Sequence, residues 1–375
     1  MRIAWITPSV ALGGSERSLV EGAFALSDRG HDVHVIADRR GWLSDELKGA
    51  AEFHVRAQNP WVRRTGGART SVRWPLYDLL VARREVAELV RDLGADVVIT
   101  NTITTPVGAL AARAARCPHA WYLKEFGRRD HSIRFMLGRR TSILLVNRLS
   151  EMVMVNSRAL LEHFCQFIPK EKMRLVYSAV VTPRVRVPSR SRPGFRLILV
   201  GNRVAGKGQR DAIEAVALLA ERGVRVELDL VGGTPAQDHE AGLRALARSR
   251  SVDDRVRFLP PDPDLYDRIA GADIALTCSR GEGLGRVTLE AMKLGTAVIG
   301  AADGGTEDLI RDGWNGYLYP PGDAGALAAR IERLRGDKST MQAMSGRAEE
   351  WARRNFTLAR HGRELEAALV DARRH

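Results

Sequence analysis

Short apolar runs alternate with longer amphipathic segments along most of the chain. Runs such as Val97-Val98-Ile99 predict strands that are buried on both faces. Strand followed by helix, repeated many times, is typical of a parallel sheet covered by helices. In the first half, the pattern predicts strands at 2–7, 32–37, 96–100, 119–123 and 152–155, and helices at 15–29, 77–93, 106–116 and 157–167.

The alternation stops at 182–194, where Pro183, Pro188 and Pro193 lie among Arg and Ser residues, and this predicts an interdomain linker. It then resumes with strands at 196–201, 225–231, 255–259, 273–277 and 297–299, and helices at 209–222, 239–250, 287–294, 324–335, 339–353 and 358–373. Two doubly wound α/β domains are therefore predicted, with ligands bound beyond the carboxyl ends of the strands, in the cleft between the domains. The expected divisions are 1–182, a linker at 183–194, 195–355, and a last helix at 356–375 that can cross back to the first domain.

The length of 375 residues suits two domains, and 45% apolar residues are enough for a core in each. No apolar run approaches the roughly 18 residues of a membrane span. The apolar start of the chain is followed at once by Gly13-Gly14, which favours a first strand over a signal peptide. The three cysteines are far apart and form no zinc or disulfide pattern, so we expect a cytoplasmic protein.

The formal charge of +13 points to an anionic partner or to a solvated basic surface. Nucleic acid is not expected, because no nucleic-acid-binding motif is present. Two basic stretches, 61–74 and 128–140, interleave Arg with large apolar residues, as at an anionic membrane interface. Peripheral attachment to the inner face of a membrane is therefore one interpretation, and a solvated surface is the other.

A glycine-rich turn at 280–286 follows a predicted strand and precedes a predicted helix. Free backbone amides at Gly283, Leu284 and Gly285 would lie at the helix N-terminus, where the helix dipole favours an anion such as a diphosphate. Glu282 and Glu290 flank this turn and would repel a phosphate, but they can accept hydrogen bonds from sugar and ribose hydroxyls. The alternative is an ordinary helix start with a capping glutamate.

This stretch resembles the Glu-x7-Glu motif of glycosyltransferase family 4, whose members have the GT-B fold of two Rossmann-like domains. The resemblance implies that Glu282 contacts the transferred sugar and that Glu290 holds the ribose. Segment 200–209 resembles the family's Gly-Arg…Lys-Gly segment, which implies that Lys207 binds the donor diphosphate. Asn202 stands where the family has arginine and Arg203 comes one residue later, so either side chain could reach the phosphates.

Two further segments resemble this family in the first half of the chain. Gly13 and Gly14 match a glycine loop that faces the donor. The strand at 119–123 ends in Lys124-Glu125, where many relatives have a histidine beside the acceptor; the histidine's role cannot be transferred, but Lys124 could bind an anionic acceptor and Glu125 could orient a hydroxyl. Asn101 is a third candidate acceptor residue. Simple strand-end polarity is the alternative for these positions. Segment 302–307 also resembles the family and could approach the nucleotide.

The resemblance implies a retaining transfer from a nucleoside-diphosphate sugar to a glycan or lipid-linked acceptor, with Glu282, Lys207 and Arg203 as the catalytic residues. No cofactor and no essential metal are expected. Asp262-Pro263-Asp264 superficially resembles a metal-binding motif, but its proline-rich surroundings favour a helix start. The rival interpretations are a sugar-nucleotide epimerase, a nicotinamide-dependent oxidoreductase, which would need G-x-G-x-x-G, and a non-catalytic protein that binds nucleotide sugars or membranes.

Overall fold

The computed structural model describes residues 1–64, 81–127, 133–183, 185, 194–234 and 237–374. The chain divides into two compact units. The N-terminal unit comprises Met1–Val180 together with the chain from Phe356 onward, and the C-terminal unit is Val181–Asn355. The expected linker at 183–194 lies mostly outside the described residues. None of the helices in the described ranges has the length and apolar character needed to span a membrane.

The N-terminal unit contains a seven-stranded parallel sheet, in the order β3-β2-β1-β5-β6-β8-β9, within its described residues. The strands of this unit are β1 (Arg2–Ile6), β2 (Asp32–Ala37), β3 (Glu52–Val55), β4 (Val62–Arg64), β5 (Val97–Asn101), β6 (His119–Leu123), β7 (Ile133–Phe135), β8 (Met152–Val155) and β9 (Met173–Leu175). The short strands β4 and β7 pair with each other in an antiparallel ribbon outside this sheet.

Helices cover both faces of this sheet. They are α1 (Gly14–Ser27), α2 (Trp42–Glu46), α3 (Arg83–Asp92), α4 (Val107–Ala115), α5 (Arg139–Arg148), α6 (Arg158–Phe164) and the last helix of the chain, α14 (Leu358–Ala372). On one face, α1 and α14 pack over a core that includes Trp5, Val35 and Ile99. On the other face, α3 and α4 pack over Ile6 and Val98. Because the central strands are covered on both sides, apolar residues occupy both alternating sets of positions in them.

The C-terminal unit repeats this architecture with a six-stranded parallel sheet, in the order β12-β11-β10-β13-β14-β15 within the described residues. Its strands are β10 (Arg196–Val200), β11 (Glu227–Val231), β12 (Val256–Leu259), β13 (Ile274–Thr277), β14 (Ala297–Ala301) and β15 (Tyr317–Tyr319). Its helices are α7 (Gln209–Glu221), α8 (Gln237–Ser249), α9 (Leu265–Ala270), α10 (Arg286–Lys293), α11 (Thr306–Leu309), α12 (Ala324–Gly336) and α13 (Lys338–Asn355). The predicted pair of parallel-sheet α/β domains is confirmed.

Most differences from the predicted elements concern short segments, but the ten-residue helix α5 (Arg139–Arg148) was also not predicted. Periodicity gave no signal for the three-residue strands β4, β7, β9 and β15, or for the four-residue β3, whose residues are only partly buried. Short strands and single helical turns contain too few residues to show a period. The helix predicted at 77–93 is described as α-helix only over Arg83–Asp92, and residues 77–80 lie outside the described part of the chain.

Candidate functional site

The glycine-rich turn lies between β13 and α10 in the C-terminal unit. Gly281 and Gly285 have φ angles of 72° and 93°, which favour glycine because a side chain there would be strained. Gly285 is the N-cap of α10 and has no side chain with which to cap the helix. The turn therefore places Gly283 and Leu284 immediately before a helix N-terminus, whose orphan amides and dipole form a local environment for an anion.

Lys207 and Glu282 form an ion pair, with Lys207 Nζ 2.8 Å from Glu282 Oε2. The two residues are 75 positions apart in sequence, and their side chains are 28% and 20% exposed. Lys207 ends the short 3₁₀ turn Ala205–Lys207, and Gly208 follows with φ 65°. A Cβ on Gly208 would lie 2.1 Å from the carbonyl oxygen of Cys278, so only glycine allows the two loops to approach this closely.

A second loop, which follows β14, holds the glycine-rich turn in place. Asp303 Oδ2 accepts a hydrogen bond of 2.9 Å from the amide of Gly281, and the amide of Gly305 donates to the carbonyl of Glu282 over 2.7 Å. A Cβ on Gly304 would lie 2.4 Å from that same carbonyl oxygen. From sequence, segment 302–307 was associated only with the nucleotide. The Asp-Gly-Gly sequence directly after a buried strand was the available signal for its role in supporting the turn.

Glu290 lies in α10, eight residues after Glu282, with a side chain only 5% exposed. Its Oε1 is 3.6 Å from Nη2 of Arg286, one helical turn earlier. A carboxylate in such a buried position is costly unless polar groups contact it. The helix thus carries a second, largely enclosed carboxylate one turn after its first residue.

Asn202 and Arg203 are engaged with the protein's own groups. The side-chain oxygen of Asn202 accepts a hydrogen bond of 3.2 Å from the amide of Gly233. The guanidinium of Arg203, a residue only 5% exposed, lies 2.6 Å from Glu240 and also donates to Thr234 and to the carbonyl of Leu259. These contacts fix the carboxyl ends of the strands to α8, and none of them joins Arg203 to the Lys207–Glu282 pair.

Glu240, the partly buried partner of Arg203, is held in its ionised form. Burial raises the pKa of Glu240, but hydrogen bonds from Thr234, Arg244 and Arg203 oppose this more strongly and hold the pKa at about 2. Arg203 is therefore the cation of a buried hydrogen-bonded network rather than an exposed surface charge.

In the N-terminal unit, Gly13 and Gly14 form the beginning of α1, as N-cap and first helical residue. Lys124 follows β6; its Nζ donates to the carbonyl of Ser15 over 3.3 Å and lies 4.5 Å from the centroid of the Tyr122 ring. The structure thus brings Lys124 next to the glycine loop, a neighbourhood that the sequence alone did not reveal. Lys124 is only 8% exposed.

Glu125 and Asn101 are more deeply buried. Glu125 accepts hydrogen bonds from the amides of Ile103 and Lys124, and Asn101 donates to Thr7 Oγ1 over 3.3 Å. Thr102, next to Asn101, has φ 68°, a strained conformation for a β-branched residue. These contacts organise the loop that follows β5, and the positive φ angle at Thr102 is a feature that the sequence did not predict.

Two family models match the chain. The Glycosyltransferase Family 4 model matches residues 12–184, and the Glycosyl transferases group 1 model matches residues 185–351. Together they extend from 12 to 351 and divide close to the boundary between the two units. This chain is a GT-B glycosyltransferase of family 4.

Similarity to individual glycosyltransferases agrees with this family assignment. The chain is 28% identical over 351 residues to the lipopolysaccharide core biosynthesis glycosyltransferase LpsE of Rhizobium meliloti, covering 90% of each protein. It is 25% identical to the N-acetyl-alpha-D-glucosaminyl L-malate synthase of Bacillus anthracis, covering 98% of this chain and 97% of that protein. Its fold is similar to that of Anabaena Alr3699/HepE in complex with UDP-glucose, with a TM-score of 0.81, 23% identity and 99% coverage of each chain.

The Asp262-Pro263-Asp264 segment of this family 4 glycosyltransferase is a helix start, as predicted. Asp262 Oδ1 accepts a hydrogen bond of 2.8 Å from the amide of Asp264, the N-cap of α9, and its other oxygen pairs with Arg268. Burial raises the pKa of Asp262, but these two hydrogen bonds outweigh burial and lower it. Both carboxylate oxygens of Asp262 are thus committed to the protein.

Of the two basic stretches in this enzyme, a large part lies outside the described residues, including Arg128 and Arg129. Within the described part, Leu137 and Leu144 are each 56% exposed near the start of α5. Arg139 Nη2 lies 2.9 Å from His163 Nε2, and its guanidinium stacks on Phe167. Membrane attachment therefore stays a prediction.

Proposed function

We propose that this glycosyltransferase moves a sugar from a nucleoside-diphosphate sugar to an acceptor hydroxyl with retention of the anomeric configuration. The observation that carries the proposal is the Lys207–Glu282 ion pair at the glycine-rich N-terminus of α10. A cation and orphan amides next to each other suit a diphosphate, and the carboxylate suits the hydroxyls of the attached sugar.

In the proposed complex, the donor diphosphate takes the place of Glu282 as the partner of Lys207. Amides of Gly283, Leu284 and Gly285 contact the sugar and phosphates. Glu282, released from Lys207, accepts hydrogen bonds from the sugar, and Glu290 accepts them from the ribose. Arg203 and Asn202 support the loop from behind through the contacts described above. Lys207 and the helix amides supply the positive charge, so no metal or other cofactor is required.

The proposed reaction breaks the bond between the anomeric carbon and the phosphate oxygen, and forms a bond from that carbon to the acceptor oxygen on the same face. The acceptor proton passes to the departing phosphate, and the nucleoside diphosphate leaves. Positive charge develops on the sugar ring, as in glycoside hydrolysis. Lys207 and the amides of α10 stabilise the negative charge that grows on the diphosphate, in a position fixed before the reaction begins.

The acceptor in this proposal is a glycan or lipid-linked glycan, held by the N-terminal unit. Similarity to a lipopolysaccharide core transferase supports a glycan acceptor. Lys124 would contact an anionic group of the acceptor, while Glu125 and Asn101 would hold the loop that surrounds it. An anionic membrane surface is a further proposed partner, supported by the exposed Leu137 and Leu144 beside basic residues.

The first test is thermal unfolding in the presence of UDP, GDP, ADP, CDP, dTDP and NAD without metal. A diphosphate at 100 times its dissociation constant should add about 2.7 kcal/mol to stability. The shift should disappear in Lys207→Ala and Glu290→Ala and persist in Lys338→Ala, an exposed lysine of the same unit. No shift with any nucleoside diphosphate would contradict the proposed donor site and favour a protein that does not bind donors.

The diphosphate that binds names the donor to use in a transfer assay. Nuclear magnetic resonance of the first-formed product then reports the anomeric configuration. An inverted product would overturn the retaining mechanism without affecting the donor site. Loss of transfer in EDTA, restored by a divalent metal, would overturn the metal-free part of the proposal.

A further inference from the structure

Two histidines and a glutamate meet on the edge of the N-terminal sheet, at positions that the donor chemistry does not use. We define His34, Glu52 and His54 as the edge cluster. His34 lies in β2, and Glu52 and His54 lie in β3, the edge strand of the described sheet. β2 and β3 are parallel, with His34 opposite Glu52 and Ile36 opposite His54. Because side chains alternate along a strand, all three members of the cluster point to the same face.

The three side chains converge on one point. His34 Nδ1 lies 3.1 Å from His54 Nε2 and 3.4 Å from one carboxylate oxygen of Glu52, and the other oxygen lies 3.7 Å from His54 Nε2. Ligand atoms at about 2.0–2.1 Å from a tetrahedral Zn²⁺ are about 3.3 Å apart. The observed separations lie close to this value, so the side chains need little movement to coordinate an ion.

Charge and burial also suit a cation. All three groups offer lone pairs. A hydrogen bond between His34 and His54 uses one proton, and the Glu52 carboxylate then receives no hydrogen bond from either ring at these nitrogens. A cation would satisfy the lone pairs of all three groups. The side chains of His34 and His54 are 6% and 14% exposed, whereas that of Glu52 is 66% exposed. The cluster therefore has two largely enclosed imidazole ligands and an open side through which an ion can enter.

Asp32 supplies the outer-shell partner that a metal-bound histidine ordinarily has. Its Oδ1 lies 3.2 Å from Nε2 of His34, the nitrogen on the far side of the ring from the cluster. That nitrogen has no well-aligned hydrogen bond within the described ranges of the chain. A carboxylate at this place holds a histidine in the tautomer whose Nδ1 is free to bind metal. Arg2 Nε in turn holds Asp32 at 2.7 Å.

We propose that the edge cluster binds one late first-row divalent metal ion, for which Zn²⁺ is the probe, through His34 Nδ1, His54 Nε2 and Glu52. Imidazole and carboxylate ligands suit this class of ion. The ion would join the short edge strand β3 to β2 and stabilise an edge whose residues are only partly buried. The site is distinct in sequence and in unit from Lys207, Glu282 and Glu290, so it stands or falls independently of the proposed donor chemistry.

The test uses the full chain without a histidine tag, freed of metal by a chelator and then titrated with Zn²⁺ in a calorimeter. We expect one equivalent to bind and to raise the Tm. Co²⁺ in place of Zn²⁺ should give the visible absorption of a low-coordinate site. Asp32→Asn removes an outer-shell partner and should weaken Zn²⁺ binding about ten- to a hundredfold. His54→Ala removes a ligand and should weaken binding more than about a hundredfold.

Two matched variants keep the test sharp. Glu52→Gln preserves the size of a largely exposed side chain, so it should fold with the wild-type metal-free Tm and bind Zn²⁺ at least about tenfold more weakly. His239→Ala removes a histidine of the other unit and should bind Zn²⁺ as the wild type does. Absence of a stoichiometric Zn²⁺ complex, or binding and Tm shifts that Glu52→Gln and His54→Ala leave unchanged, would overturn the proposal.

Discussion

The two units present their polar strand ends in different ways. In the C-terminal unit, Lys207 and Glu282 are partly exposed and contact each other beside a helix N-terminus, so a ligand can exchange for either partner. In the N-terminal unit, Glu125 and Asn101 are almost fully buried and bond to neighbouring backbone or hydroxyl groups. Glutamate is therefore a proposed ligand group in the C-terminal unit and a loop support in the N-terminal unit. Exposure and choice of partner separate these two roles more clearly than residue type does.

Removing both members of the exposed pair should give the largest effect on activity. The double variant Lys207→Ala/Glu282→Ala should lower the transfer rate about a thousandfold, because it removes charge placed at the departing phosphate and the group that fixes the sugar. Its Tm should stay close to that of the wild type, since a partly exposed ion pair adds little to stability. The rate is measured with the donor identified by thermal shift.

The control for that pair is Lys338→Ala/Glu350→Ala, two exposed residues of α13 in the same unit. It should transfer sugar at the wild-type rate. If the two double variants had similar transfer rates, Lys207 and Glu282 would not act on the donor. The proposed contrast with the buried loop supports of the N-terminal unit would then be wrong.

Arg203→Ala should affect stability most, by about 3 kcal/mol, because it removes the buried guanidinium that pairs with Glu240 and donates to Thr234 and Leu259, and leaves only the exposed Arg244 beside that carboxylate. Its denaturation midpoint in urea measures this. On acidification, the variant should also unfold at a higher pH than the wild type. The folded-state pKa of Glu240, about 2, lies below the ordinary 4.5, so its contribution is present above that ordinary value and is lost as pH falls toward 2.

Arg203→Ala raises the pKa of Glu240 in the folded protein. The variant therefore loses the contribution of Glu240 to stability at a higher pH than the wild type does. A variant that unfolds at the wild-type urea concentration but loses donor binding would instead place Arg203 in direct contact with the donor.

Glu125→Ala should lower stability by about 1–3 kcal/mol, because the buried amides of Ile103 and Lys124 lose their acceptor. Glu125→Gln keeps one acceptor oxygen and should recover a large part of the loss. Urea denaturation of both variants tests this. Wild-type stability in Glu125→Ala, together with a raised KM for acceptor, would show that Glu125 acts on substrate and not on the loop.

Lys124→Met should have the smallest effect on the donor. The stabilisation of the protein by nucleoside diphosphate should change by less than about 0.5 kcal/mol, because the proposal assigns Lys124 to the acceptor and Lys207 to the donor. Thermal unfolding with and without the nucleotide measures it. A loss of nucleotide binding comparable to that of Lys207→Ala would assign Lys124 to the donor and not to the acceptor.

Much of this fold could be predicted because its signals are local. Fully buried strands such as Val97-Val98-Ile99 carry consecutive apolar residues, and a glycine turn between strand and helix marks an anion site within about ten positions of sequence. Glu282 and Glu290 were candidates because they flank this turn, and Lys207 was a candidate because segment 200–209 resembles the family's Lys-Gly segment. The edge strand β3 was missed, because four partly buried residues carry no distinct period.

The sequence by itself determined two parallel-sheet units and the chemical character of the loops that are proposed to bind the donor. Only the tertiary structure decided which partner each polar side chain has. It paired Arg203 with Glu240, placed Asp303 under the Gly281 amide, and brought His34 of one strand opposite Glu52 of the next. The physical reason is range: periodicity and helix-start signals act over a few neighbouring residues, whereas these contacts join residues 18 to 37 positions apart that only strand pairing and loop packing bring together.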